Sequence, residues 1–153
     1  MAEIFIREAQ GSDLPRIEKL MVELIEAMHV QESLDMSMVA ENCRTLLNDV
    51  DSHILVAEMD GFVIGAINFS IRKTIIHPEA SGLIDEFVVV REHRGKGVGK
   101  KLINAAVEEC RQLGCCEVEV STEITNTRAR KFYKSCGFDE VGVFFEMDIL
   151  SEK

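Results

Sequence analysis

The run Arg94-Gly95-Lys96-Gly97-Val98-Gly99-Lys100-Lys101 has the residue types and spacing of an anion-binding turn. Glycines at alternate positions let the backbone approach a ligand with no Cβ in the way, and they supply φ > 0 where the chain must turn sharply. The residues beyond it, Val98, Leu102, Ile103, Ala106, Cys110 and Leu113, keep the spacing of one helix face. A helix that opens on such a loop presents unpaired backbone N–H groups and the positive end of its dipole, a setting that holds phosphate or pyrophosphate. Arg91, Arg94, Lys96, Lys100 and Lys101 concentrate positive charge in a chain whose formal net charge is −10. An acidic protein with one basic patch beside a glycine turn is expected to bind an anionic cofactor there.

The elements that must position this turn are legible on either side of it. The apolar run Phe87-Val88-Val89-Val90 closes a strand expected over Leu83 to Val90, and a helix over 98–113 follows the turn, stopped by Gly114. Upstream, residues 3–8 read as a first strand. Ser12 or Asp13 is expected to cap a helix carrying Pro15 in its first turn and Ile17, Leu20, Met21, Leu24 and Met28 on one face. A second helix is expected over Met36 to Leu47. Asp60-Gly61 between Ile54–Ala57 and Phe62–Ile67 predicts a hairpin. Downstream, Cys115 to Ser121 alternates as a strand, a helix runs from about Asn126 to Cys136, and Phe138 to Ile149 supplies further strand, as two strands if Gly142 divides it. Interleaved helices and strands without a linker or repeat predict one α/β (α+β) domain over residues 1–153 with a mixed sheet.

Composition narrows the function. The 153 residues, 46% hydrophobic and 29% charged, suit a soluble globular domain with a substantial core. Net acidity argues against nucleic acid as a partner, because a phosphate backbone demands a basic footprint. It is compatible with a cationic amine substrate. No apolar run approaches the ~20 residues that span a bilayer, and the first residues carry no signal-peptide core, so no membrane association and a cytoplasmic location are expected. The five cysteines (43, 110, 115, 116 and 136) lack Cys-x-x-Cys spacing and read as reduced thiols; the four histidines (29, 53, 77 and 93) are scattered, and no metal is expected.

The order strand, Arg94-x-x-Gly97-x-Gly99, helix, strand, Asn126-x-x-Ala129-x-x-Phe132-Tyr133, Gly137-Phe138 resembles the GCN5-related N-acetyltransferase superfamily over residues from about 54 to 148. The resemblance implies a mixed, largely antiparallel twisted sheet of six to seven strands with a central splayed parallel pair, flanked by about four helices. It implies acetyl-CoA as cosubstrate and direct acetyl transfer to a primary amine. The amides from Gly95 through Val98 to Gly99 would hold the pyrophosphate, with Arg94, Lys96 and Lys100 close by. The pantetheine arm would pair with the edge of Phe87, Val88 and Val89, and an amide near Val88 or Val89 would stabilise the oxyanion.

In the same resemblance Tyr133, the only tyrosine, stands at the general-acid position: a phenol of pKa about 10 can donate to a thiolate whose conjugate pKa is about 8.5. Packing of a helix face is its simpler role. Asp85 or Glu86 would take the proton of the acceptor amine; strand alternation allows only one of them to face the acceptor cleft, and both could instead be ordinary strand residues. Glu119 and Glu123 are weaker alternatives. Asn126 caps the last helix, hydrogen-bonds the pantetheine arm, or does both at once, and Arg130 either meets a CoA phosphate or forms a surface ion pair.

Two other readings compete. Gly95-x-Gly97-x-Gly99 with Glu119 about 20 residues on echoes a dinucleotide fingerprint, but the third glycine comes one residue early and the preceding chain reads as a hairpin. A non-catalytic acyl-CoA-binding or regulatory module would keep the fold, though it would not need Tyr133 with a strand carboxylate. The acceptor stays open among small amines, aminoglycoside-like molecules, polyamines and peptides; the ending Gly137-Phe138-Asp139-Glu140 through Phe145 is similar to that of small-amine and aminoglycoside members. The apolar C-terminal strand could serve as the edge of a homodimer.

Overall fold

Asp60 and Gly61 both take positive φ, 51° and 80°, the left-handed pair that closes a two-residue hairpin. They join β2 (Ser52–Met59) to β3 (Phe62–Arg72), as the Asp-Gly signal predicts. The computed structural model describes residues 2–28 and 35–150, so His29 lies outside the described residues. The chain divides into two compact units, Met1–Val120 and Ser121–Lys153.

The first unit adds β1 (Ile4–Glu8), α1 (Leu14–Ala27), α2 (Met36–Leu47), β4 (Ser81–Val89), α3 (Val98–Gln112) and β5 (Glu117–Val120). The five strands form one sheet in chain order. β1 through β4 pair antiparallel, while β4 and β5 pair parallel, with α3 as the crossover that a parallel pair requires. The predicted face of α3 is the buried one: Val98, Leu102, Ile103, Ala106 and Cys110 are all inside. Leu113, expected on that face, is exposed instead, because the helix has ended at Gln112 and Gly114 turns the chain at φ 81°.

α3 lies close on the sheet at two glycines. A Cβ at Gly65 would stand 3.0 Å from Leu102 Cδ1, and one at Gly82 only 2.4 Å from Cys110 Sγ. Side-chain alternation puts Ile67 and Phe69 on this same face and Ala66, Asn68 and Ser70 on the other, where α1 and α2 pack. Asp13 does not cap α1 as the sequence suggests. Its buried carboxylate accepts from the Gln10 N–H at 2.8 Å and from Arg7 Nη1 and Nη2 at 2.8 and 2.9 Å, while Arg7 Nε reaches Glu58 at 2.8 Å. That ion cluster fastens the entry of α1 to β1 and β2, and the guanidinium holds Asp13 below the usual carboxylate range. α2 does have a side-chain cap: Asp35 accepts from the N–H groups of Ser37 and Met38.

The second unit contains α4 (Thr127–Ser135), followed by Gly137 at φ 100°. The strand expected over Phe138 to Ile149 is not formed, and among the described residues the sheet has five strands rather than six or seven. A strand exists only as half of a ladder, and among the described residues of the second unit no strand is present to complete one. Val143 and Phe145, on the alternating apolar side of that segment, are 78% and 89% exposed.

Candidate active site

Beyond the end of β4, a short 3₁₀ turn at Arg91–His93 leads into the glycine run. Gly95 and Gly97 take φ of 72° and 86°, conformations that any L side chain would strain. A Cβ at either would meet nothing within 4 Å, so the space over the turn is open. Gly97 is the N-cap of α3 and has no side chain to accept from the first turn. The first intrahelical bond here is Lys101 N–H to Gly97 C=O, which leaves the amides of Val98, Gly99 and Lys100 without an acceptor inside the helix. An uncapped helix start behind two left-handed glycines, with Lys96 and Lys100 exposed beside it, fits the pyrophosphate of a CoA thioester. The Val98 side chain is buried in the core, so only its backbone N–H is on offer.

Arg94 folds back from the turn. Its Nε donates to the Val89 carbonyl at 2.8 Å, and Nη2 stands 4.0 Å from Glu23 of α1. Glu23 also accepts from the Arg91 N–H at 3.3 Å. Nothing in the sequence pairs α1 with this turn; the Glu23 contact joins residues 68 positions apart and is visible only once the chain is folded.

The register of β4 changes the reading of its two carboxylates. Asn68 opposes Glu86 and Phe69 opposes Ile84, so Asp85 is an extra residue without a partner on β3, a β-bulge. Alternation therefore breaks at this point. Glu86 accepts from Asn68 Nδ2 at 2.6 Å, and Asp85 lies beside the Ser70 hydroxyl. Asn68 and Ser70 are two apart on β3, so both carboxylates serve one face of the sheet, in place of the single one that alternation allowed. Crowding around the Asp85 carboxyl raises its pKa, against an opposing effect of Ser70, although the residue keeps contact with solvent.

β5 accompanies β4 only from Ser81↔Glu117 to Ile84↔Val120. The parallel ladder thus stops at the bulge, before Glu86, Phe87, Val88 and Val89. The Val90 N–H donates to Ile64 C=O of β3 at 2.9 Å. Alternation along an antiparallel strand then turns the Val88 N–H toward β3 as well and the Val89 N–H toward the side where β5 has ended. Of the two amides named from the sequence, Val89 has the direction suited to a ligand in that gap. Glu119, a weaker candidate base, is instead engaged by Arg72 Nη2 at 2.9 Å.

In the second unit Asn126 caps α4, its Oδ1 accepting from the Ala129 N–H at 3.0 Å. Arg130 Nε and Nη2 bind Glu140 at 2.7 and 3.2 Å, and Nη1 donates to Ile124 C=O at 2.9 Å. Arg130 with Lys134 holds the Glu140 carboxyl down at about 2. The surface-pair alternative for Arg130 is therefore realised within this unit. Tyr133 packs edge-on against Phe132 and Phe138, with ring centres 5.6 and 5.9 Å away. Burial of the phenol raises its pKa, with a smaller contribution from the charge of Cys136.

All five cysteines are free, Cys43 and Cys110 buried and Cys116 exposed. Burial pushes the Cys110 thiol up to about 12, far from a reactive thiolate. Among the described residues no group of three His, Cys, Asp or Glu is placed to hold a metal ion, and no helix is long and apolar enough to cross a membrane.

Comparison with known proteins finds N-acetyltransferases in sequence and in fold. The aminoalkylphosphonate N-acetyltransferase of Salmonella typhimurium is 30% identical over 135 residues, covering 88% of this chain and 84% of that protein. The thialysine N-epsilon-acetyltransferase of Bos taurus is 26% identical over 153 residues, covering 92% and 87%. Among solved structures, the aminoglycoside N-acetyltransferase AAC(6')-Iy in complex with CoA superimposes with a TM-score of 0.85 at 22% identity, covering 97% of each chain. The sequence pattern of the acetyltransferase (GNAT) family matches residues 17–138, a span that runs from α1 through the glycine turn and past Tyr133. With that span matched, the chain belongs to the GNAT acetyltransferase family.

Proposed function

We propose that the protein transfers the acetyl group of acetyl-CoA directly to a primary amine of a small molecule. The observation that carries this reading is the conjunction around the end of β4: a ladder that stops at Ile84 and, beyond the 3₁₀ turn, an uncapped α3 N-terminus behind left-handed glycines. The first gives an extended ligand a strand edge to follow; the second gives its pyrophosphate a seat. Relatives named for an aminoalkylphosphonate and a thialysine, and a structural neighbour named for an aminoglycoside, support a small amine as acceptor.

Acetyl-CoA supplies an activated thioester carbonyl. The amides of Gly95 to Gly99, with Lys96, Lys100 and Arg94 close by, hold its pyrophosphate, and the backbone of Phe87 to Val89 aligns its pantetheine arm. The Val89 N–H meets the oxygen that gains negative charge as the amine attacks. Asp85 takes the amine's proton, directly or through a water, because Asn68 already occupies the Glu86 carboxylate, and burial raises the Asp85 carboxyl above its ordinary value. Tyr133 returns a proton to the departing thiolate. Asn126 joins the cofactor side without giving up its capping bond, and Arg130 joins it by exchanging Glu140 for a CoA phosphate. The family match over residues 17–138 supports one catalytic domain over residues 1–153.

Calorimetry with acetyl-CoA, using NADH and ATP as controls, tests the reading. Micromolar or tighter binding of acetyl-CoA alone is expected, followed by thiol release with members of a small-amine panel. Absence of acetyl-CoA binding, or preference for NADH or ATP, would sink it.

The finer architecture belongs to the same proposal. Val141, Val143, Phe145, Met147 and Ile149 alternate as a half-buried strand does, yet all are exposed. Their pattern supports a sixth and seventh strand within 138–149, formed in a homodimer. Light scattering is expected to give the mass of two chains, and Val143→Lys with Phe145→Lys to give one; a monomeric wild type refutes the dimer. Acetyl-CoA as donor and five free cysteines support a cytoplasmic location.

A further inference from the structure

Between the last turns of α1 and the 3₁₀ turn lies a cavity of about 210 Å³ lined by Glu23, Glu26, Ala27, Arg91, Glu92 and Arg94. One carboxylate oxygen there, Glu23 Oε2, makes two contacts with the segment that leads into the glycine turn: the Arg91 N–H at 3.3 Å and Arg94 Nη2 at 4.0 Å. Arg94 is fixed from its other end by the bond from Nε to Val89 C=O, so its guanidinium cannot leave the end of β4 without breaking that bond. What remains adjustable is which anion it faces.

We infer that Glu23 is a resident counter-anion for the Arg91–Arg94 turn, which the cofactor's pyrophosphate must displace from Arg94, so that Glu23 lowers cofactor affinity while holding the turn ready. This rests on the acetyl-CoA reading above. Arg94 precedes Gly95 and Gly97, whose turn is the proposed phosphate seat, so a pyrophosphate placed there and the Glu23 carboxylate draw on the same positive charge. The Arg94 and Glu23 side chains are 29% and 35% exposed, so water screens the ion pair and its separation of 4.0 Å is loose. Such a pair is weak enough to be exchanged. The accepted N–H of Arg91 is a second and different bond: it shapes the turn and persists whichever anion Arg94 faces. Glu23 is therefore a positioning residue with a cost, and its charge and its acceptor oxygen can be separated by mutation.

Glu23→Gln keeps an acceptor oxygen for the Arg91 N–H and removes the competing charge. Calorimetry with CoA at low ionic strength is expected to show binding about two- to fivefold tighter than wild type, the scale of one partly screened charge. The gain should disappear at about 1 M salt, where the Debye length is about 3 Å. It should also disappear in the Arg94→Gln background, and Glu26→Gln, which removes a charge from the same cavity without those contacts, should give a smaller gain. Equal or weaker CoA binding by a folded Glu23→Gln protein overturns the inference, as does an equal gain from Glu26→Gln or one that survives high salt. If Glu23→Gln does not fold, the loss of CoA affinity in Arg94→Gln decides. A loss of less than twofold means that Arg94 does not face the pyrophosphate, and the inference fails with it. Wild type that does not bind CoA at all overturns the acetyl-CoA reading itself, an outcome distinct from each of these.

Discussion

Tyr133→Phe is expected to lower kcat by about 10²-fold or more, within the range that a positioned general acid contributes, with little change in acetyl-CoA affinity. The substitution keeps the ring that packs on Phe132 and Phe138 and removes only the hydroxyl. Burial raises the phenol's pKa above its usual value of about 10. The protonated form is the donor, so Tyr133 stays competent across the neutral range and contributes no alkaline loss of rate below about pH 10. Thiol release measured against pH, with calorimetry on the same variant, checks both halves. A variant within about twofold of wild type would remove the phenol from proton transfer and return Tyr133 to packing.

Asp85→Asn is expected to lower kcat/KM by about 10²-fold near neutral pH and to change the shape of the pH profile. Asp85 must be ionised to accept a proton. Because crowding raises its pKa, the wild-type rate should climb with pH through a limb lying above the ordinary aspartate value of about 3.9. In the variant that limb should vanish, leaving the rate to follow only the free-amine fraction of the acceptor, about tenfold per pH unit below the amine's pKa. Glu86→Gln should cost less, since Asn68 already occupies that carboxylate. If Asp85→Asn keeps its rate and Glu86→Gln loses it, the base is Glu86 and the bulge serves only to turn Asp85 aside.

What could be read in advance was local. The Asp60-Gly61 turn, the buried face of α3 and the left-handed glycines that precede it each depend on neighbours within a few residues, and each is where the sequence places it. The bulge at Asp85 was not legible, because Ile84-Asp85-Glu86 carries no mark of a register that only β3 defines. Asp13 has the chemistry of a helix cap but is taken by an arginine six positions earlier. The choice between Val88 and Val89 needed the direction of one hydrogen bond, Val90 to Ile64. Over Phe138 to Ile149 the apolar content of a strand was plain, yet composition describes what a strand would bury and not which strand lies beside it. Glu23 left no sequence signal, since an acid on an amphipathic helix is the ordinary residue for a solvent face.

The two places where glycine lets α3 sink into the sheet, at Leu102 and at Cys110, act as a pair of bearings. They are eight residues apart, about 12 Å along the axis, and the second lies about 18 Å from the helix start. A helix held at both cannot pivot. Were the near bearing at Leu102 to slip and the helix to tilt by about 10° about the far one, its first turn would swing by about 3 Å, as much as a hydrogen-bond length. The aim of the anion seat is therefore set by a lever whose fixed end is a missing methyl group beneath Cys110, near the opposite end of the helix from the seat it aims.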